Sequence, residues 1–425
     1  LNSASYGGGI YIRAAASVVT NGTTEVSNNQ GQWHGGGIYV GTDAVADLRD
    51  NTLVDANTAV YKGGGIFSDG TLNMRFTKVR DNRVLSSSLA SAGGGIYATG
   101  PLDMYDGHLT GNTALNGGGL YHDPDVSVTA TLYDVWISSN IAIDAGGSIF
   151  VGDNSDFSCD ASNIRSSSAT RGAAVFVDGA ISFDSGSIKD CVATIGGALY
   201  VNAGSVSADS FLIESNTATD RGGGVYSHGS IYMVESSSDF NTAQRGAGFY
   251  LGGGTAFLDS TGADDNMATL SGGGIFVGGD TEANITSCTI NNNHAPSGAG
   301  VMVNTTSPTP VRFDWVSIDG NYGSAAASAA LHVVNGHVSA VDSVVCDNYS
   351  KACLVNVYCD DTGSTSGLAN GCGVRDSCFH GIAACARPST GGNSPCSSCY
   401  SGWTGAACDI ATNCYSPDDP GAQCQ

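Results

Sequence analysis

The chain has 425 residues, of which 61 are glycine, 16 are Lys or Arg and 39 are Asp or Glu, giving a formal net charge of −23. That balance excludes nucleic acid as a partner, because phosphate binding needs clustered Lys and Arg, and no run approaches the ~18 apolar residues of a membrane-spanning helix. The acidity is compatible with calcium, but no Asp-x-Asp-x-Asp-Gly loop occurs, so no cofactor is expected.

From residue 7 onward one phrase returns thirteen times at steps of 24 to 30 residues. Clear copies are Gly7-Gly8-Gly9-Ile10-Tyr11, Gly35-Gly36-Gly37-Ile38-Tyr39 and Gly63-Gly64-Gly65-Ile66-Phe67. Later copies start at Gly93, Gly117, Gly146, Gly172, Gly196, Gly222, Gly246, Gly272 and Gly298, and a worn one runs Ser328-Ala329-Ala330-Leu331-His332. Three glycines in a row rule out a helix at about 1 kcal/mol each. A fixed period of this length is the signature of a stacked solenoid. Short β-strands fit the Ile-Tyr end of the phrase and the apolar runs before it, such as Phe211-Leu212-Ile213.

Each preceding run ends in a small polar turn, as in Asn57-Thr58-Ala59, Asn112-Thr113-Ala114, Asn216-Thr217-Ala218 and Asn241-Thr242-Ala243. The Asn recurs at Asn82, Asn140, Asn266, Asn293, Asn321 and Asn348, while Cys191 takes one such slot. Asn tolerates the left-handed conformation of a tight corner, so these residues are expected at the bends. Stacked one per coil, their amides are expected to form a hydrogen-bonded ladder. The fold predicted is all-β: a right-handed parallel β-helix of about 13 coils spaced about 4.8 Å apart.

The aliphatic column of the phrase, from Ile10 and Ile38 to Val301 and Leu331, is apolar throughout and is expected to point inward. Strand alternation then turns the next column outward. That column is Tyr11, Tyr39, Phe67, Tyr97, Tyr121, Phe150, Phe176, Tyr200, Tyr226, Tyr250 and Phe276, followed by Met302 and His332. It is the candidate interaction surface, a continuous aromatic ladder. His34, His108, His122, His228 and His294 fall on turns or strand flanks and read as surface residues.

Cysteines are lopsided: Cys159, Cys191 and Cys288 lie in the repeats and eleven lie between Cys346 and Cys424. The first group reads as buried thiols and the second as disulfides of an oxidising compartment. Sequons at Asn21, Asn284, Asn304 and Asn348 are candidate N-glycosylation sites and agree with secretion. The chain opens directly in a repeat, and no polar cap is evident before Tyr6. The first coil is therefore expected to be covered by preceding sequence or by a neighbour.

Four segments follow: repeats at 1–345, a Cys-stapled junction at 346–371, a Cys-rich module at 372–410 and the start of a second at 411–425. The run Cys399-Tyr400-Ser401-Gly402-Trp403-Thr404-Gly405-Ala406-Ala407-Cys408 resembles the last loop of an EGF-like domain. The resemblance implies the pairs Cys372–Cys385, Cys378–Cys396 and Cys399–Cys408. Two residues separate Cys396 from Cys399, where the family usually has one. Cys346, Cys353 and Cys359 are expected to staple the junction, and Cys414 and Cys424 to open the second module.

The Gly-Gly-x-Ile phrases and Asn turns resemble the repeats of polymorphic outer-membrane-protein-type β-helices. With EGF-like modules and sequons added, the architecture is similar to the glycoproteins of flagellar hairs, the mastigonemes. The resemblance implies a secreted, non-enzymatic structural glycoprotein at the cell surface, whose partners are its own copies or other surface glycoproteins in a filament. One alternative is an adhesin that binds glycans on the aromatic ladder. A second is a polysaccharide lyase or hydrolase, for which Asp264, Asp265 and His337 are the candidates. Pectin hydrolases of this fold carry an Asp pair, a Gly-His-Gly and an Arg-x-Lys on adjacent coils; here Gly336-His337 stands nearly three coils from Asp264-Asp265 and no Arg-x-Lys follows.

Overall fold

The computed structural model describes residues 2–88, 90–324, 330–341, 343–346 and 348–350, together with the strands Val357–Cys359, Gly373–Arg375, Trp403–Thr404 and Ile410–Ala411. The expected disulfides involving Cys346, Cys353, Cys359, Cys372, Cys378, Cys385, Cys396, Cys399, Cys408, Cys414 and Cys424 lie outside the described side chains. The chain divides into two compact units, Leu1–Thr219 with Gly224–Tyr232, and Asp220–Gly223 with Met233–Gln425. Each unit is a parallel β-solenoid, and no helix occurs among the described residues.

One coil of the first unit shows how the repeat is spent. After the glycines come Ile38–Val40, Val45–Leu48, Leu53–Asp55 and Thr58–Ala59, four short strands that face four ways before Gly63 restarts the cycle. Each strand pairs in parallel with its equivalent one coil on, and the glycine-phrase strands keep register through these coils: Ile38 lies beside Ile66, Ile66 beside Ile96, Ile96 beside Leu120. The aliphatic column therefore stacks in one line, and Ile38, Ile66, Ile96, Leu120, Ile149, Val175, Leu199 and Val225 are all inaccessible to solvent. Two further inner columns come from the second and third strands, Leu48–Met74–Met104–Leu132–Cys159 and Val54–Val79–Leu109–Ile137–Ile164. Full burial of such a side chain contributes roughly 1.5–3 kcal/mol, and the columns together form the core.

Single left-handed residues make the bends. One series precedes the third strand and includes Phe76, Asp106, Asp134, Ala161, Ser185 and Ser210. A second series immediately precedes the Asn column and includes Asn28, Ala56, Asp81, Ser139, Ser166, Asp190 and Ser215. The left-handed residue is thus the neighbour of the corner Asn and not the Asn itself, contrary to expectation. The Asn has a different task, described below.

The first glycine of every phrase is also left-handed, from Gly7 (φ 57°) through Gly117 (φ 57°) to Gly298 (φ 53°). Conformation alone does not require glycine here, since Ala56 and Asp81 take the same φ region in this chain. Space does: a Cβ on Gly117 would lie 2.6 Å from the Leu120 carbonyl oxygen and 2.8 Å from Tyr121 Cβ.

Candidate functional site

Two longitudinal arrays distinguish these solenoids, one inside and one outside. The inner array is the amide ladder. In the first unit Asn29, Asn57, Asn82, Asn112 and Asn140 stack rung on rung. The backbone N–H of Asn82 donates to Asn112 Oδ1 at 3.0 Å, and Asn82 Nδ2 donates to the same oxygen at 3.1 Å. Asn82 Nδ2 also donates to the Val54 carbonyl at 3.0 Å. Each interior amide thereby satisfies two buried backbone groups, an N–H and a carbonyl, and bonds the side-chain amides on either side. Asn29 belongs to the ladder, donating to Asn57 Oδ1 at 2.9 and 3.1 Å, although the sequence Asn29-Gln30-Gly31 hides the Asn-Thr-Ala motif.

The ladder is modified at two rungs. Asn140 Nδ2 reaches Ser148 Oγ at 3.5 Å, and Ser148 bonds Ser167 Oγ at 2.7 Å. Cys191, in the slot the sequence assigned it, donates its N–H to Asn216 Oδ1 at 3.0 Å. Burial pushes the Cys159, Cys191 and Cys288 thiols up to about 12, so none supplies a thiolate at neutral pH. In the second unit Asn241, Asn266, Asn293, Asn321 and Asn348 repeat the pattern.

Asn348 therefore has two incompatible assignments. Its Oδ1 accepts from the Asn321 N–H at 2.8 Å and its buried Nδ2 donates to the Ile318 carbonyl at 2.9 Å. A glycan on Nδ2 and this rung exclude each other. Asn21, Asn284 and Asn304 are exposed. Glycopeptide mapping of secreted material is expected to find Asn348 unmodified; an occupied Asn348 in protein that keeps its solenoid would contradict this rung.

The outer array is the aromatic column. Its side chains point away from the aliphatic core, yet most are buried: Phe67, Tyr97, Phe176, Tyr200, Tyr226 and Phe276 are each at most 9% exposed, against 56% for Tyr11 on the first coil. Stacking explains this. Ring centroids in the first unit are separated by 5.1 Å for Tyr11–Tyr39, 5.0 Å for Tyr39–Phe67, 5.3 Å for Tyr97–Tyr121 and 4.4 Å for Tyr121–Phe150. The planes of Phe67 and Tyr97 lie within 3° of parallel. In the second unit Tyr250 and Phe276 stack at 4.7 Å.

The column is flanked by ring and charged side chains. His34, at the end of its strand, stacks on Phe67 at 4.9 Å. Lys62 Nζ lies 4.2 Å from the Tyr97 centroid and donates to its hydroxyl oxygen at 2.7 Å. Arg171 covers Phe176 at 5.0 Å while held by Asp144. On the other flank, burial raises the carboxyl groups of Asp69, Asp123 and Asp178 above the ordinary range. The expected display surface is thus a self-covered stack: each ring's faces meet the rings above and below, and only edges reach water. A sugar that stacks on an aromatic face finds no free face along the interior of this column.

The hydrolase candidates are not brought into a site. The Asp264 carboxylate accepts from the Thr289 hydroxyl at 2.8 Å and the Asn291 N–H at 2.6 Å. Asp265 is a left-handed bend residue (φ 57°), and His337 precedes a strand of a different sheet, Val338–Val341. Among the described residues no group of three or more His, Cys, Asp or Glu side chains is placed to hold a metal ion.

His122 corrects the surface assignment given to it. It stands two residues after the inward-facing Leu120, so strand alternation turns it inward, and it is fully buried. Its Nδ1 lies 2.5 Å from Ser155 Oγ and its Nε2 3.3 Å from the Gly100 carbonyl oxygen. Burial lowers its pKa from 6.5 to about 4. The unfolded chain then takes up a proton below about 6.5 that the folded chain refuses until about 4, so stability is lost as pH falls through that window. The loss amounts to about 3 kcal/mol at most. The raised carboxyl groups of Asp69, Asp123 and Asp178 act with the opposite sign, favouring the fold as pH falls towards 3.8. His122→Val, matching the in-register Val151, is expected to flatten the stability curve between pH 6.5 and 4 relative to wild type. Parallel curves in urea titrations across that range would refute the assignment.

The chain matches no protein-family profile, no curated protein and no solved structure. Among the described residues no helix is long and apolar enough to cross a membrane.

Proposed function

We propose that this chain is a non-enzymatic structural glycoprotein, a building block of an extracellular filament or cell-surface coat. The observation that carries the proposal is the self-sufficiency of the two arrays. Within each unit, amides and rings repeat coil after coil with their hydrogen-bonding groups and faces used on one another. A catalytic centre normally interrupts such local consistency. Among the described residues the ladder is interrupted at Ser167 and Cys191, small side chains accommodated within it, and the ring column passes into Met302 and His332 on its last coils. Resemblance of the repeats to polymorphic outer-membrane-protein-type β-helices, and of residues 372–410 to an EGF-like module, supports a secreted, disulfide-stabilised protein of mastigoneme type.

Light scattering after size exclusion tests the reading on the purified chain, and negative-stain imaging tests it on native material. Concentration-dependent assembly and labelling of fibres by an antibody to the chain are the expected results. A protein that stays monomeric at every concentration and never enters a fibre sinks it.

A further inference from the structure

One groove in the first unit stands apart from both arrays. It has a volume of about 580 Å³ and lies on the outer face of the second sheet. Its floor is formed by Asp47, Asn73 and Asp103, which are in-register neighbours on three successive coils. Adjacent strands lie about 4.8 Å apart, so three planar polar groups line up along the coil axis at that spacing. Arg49 pairs with Asp47. Among the described residues no hydrogen-bond partner holds the Asn73 amide or the Asp103 carboxylate.

The rim supplies what the aromatic column lacks. Phe76 is 45% exposed and Tyr105 39% exposed. Arg75 lies over one face of Phe76 at 5.4 Å, and Tyr105 meets Tyr133 only at a tilt of 41° and 6.3 Å, so ring surface remains open. Asn21, an exposed sequon residue, stands at the edge of the same groove.

We propose that this groove binds a neutral saccharide. An amide and a carboxylate each present two polar atoms that can hydrogen-bond a pair of vicinal hydroxyls at once, and the apolar C–H face of a pyranose suits an exposed aromatic ring. Charge selects against uronates: Asp47, Asp50 and Asp103 are set against Arg49 and Arg75, with Arg49 already committed to Asp47. The sugar has two sources, the N-glycan carried by Asn21 or a free glycan, and they share the same contacts. The inference is independent of filament assembly, because a monomer can bind a sugar and an assembling chain need not.

Saturation-transfer NMR with chitotriose, mannotriose and cellotriose tests it on the full chain secreted from a eukaryotic host. Thr23→Ala removes the Asn21 sequon without touching the groove lining. This variant is expected to transfer saturation to at least one of the three sugars, and Phe76→Ala or Asn73→Ala added to it should lower the signal tenfold or more. Phe76→Ala keeps the fold readable, since Ala161 occupies the same left-handed bend two coils beyond Asp106; circular dichroism checks this. A wild-type chain that is silent while Thr23→Ala binds identifies its own glycan as the occupant, and equal binding by both identifies a free glycan. No transfer to any of the three sugars, or a signal that survives Phe76→Ala, overturns the proposal.

Discussion

Replacing Asn112 by Ala is expected to destabilise the surrounding coils by about 3–5 kcal/mol, because several buried polar groups lose their partners at about 1–3 kcal/mol each. The Asn82 N–H and Asn82 Nδ2 lose the Asn112 Oδ1 acceptor, and the Val79 carbonyl loses the donor that reached it at 3.0 Å. The rung is sealed from bulk solvent, so these groups cannot simply turn to water outside the coil. Repeat proteins open locally, so the sensitive observable is hydrogen exchange at the Asn82 amide. Its protection should fall a hundredfold or more, while the exchange of distant rungs such as Asn29 changes little. A fall of less than tenfold would show that the ladder follows the fold without supporting it.

Gly117→Ala and Gly118→Ala form the second test, and they are expected to differ although both remove a glycine from one phrase. At Gly117 the added Cβ meets the Leu120 carbonyl three residues ahead within a bend whose geometry is local, and the left-handed φ adds its own cost. A loss of about 3 kcal/mol is expected, from roughly 1–2 kcal/mol of conformational cost and 1–3 of overpacking. At Gly118 the Cβ would meet the Ile141 and Gly147 carbonyl oxygens of the next coil. Neighbouring coils can yield there, because Ala173, Ala247 and Ala299 occupy the equivalent position elsewhere in the chain. About 1 kcal/mol is expected for Gly118→Ala. Equal shifts in the thermal midpoint for the two variants would remove the distinction between a bend glycine and a spacing glycine.

Glycine, then, is one letter with two physical meanings in the phrase, and only three-dimensional neighbours separate them. The same holds for His122. The alternation that places Leu120 inside places His122 inside as well, but a polar residue in a mostly apolar column, which Ser68 and Ser227 also enter, is visible only once that column is fixed in register. For Asn348 both assignments, sequon and ladder slot, were written in the same three letters, Asn348-Tyr349-Ser350; burial decides between them.

The repeat period, the inward aliphatic column and the parallel all-β architecture were determined by the sequence alone. Repetition makes them legible, since a side chain that recurs every coil meets its own copy, and an aliphatic column stacked on itself gains most by facing the core. The corner amides were legible for the same reason, except where Gln30 and Gly31 obscured Asn29. What the tertiary structure decided was everything that depends on distances between coils. It moved the left-handed bend to the residue before the corner Asn, as at Ala56, Asp81 and Ser139. It turned the aromatic column from an open display into a stack, because rings repeated at strand spacing are close enough to cover one another's faces. And it gathered Asp47, Asn73 with Phe76, and Asp103 from three successive coils into a groove, since residues 26 to 30 apart become neighbours only after the chain has wound.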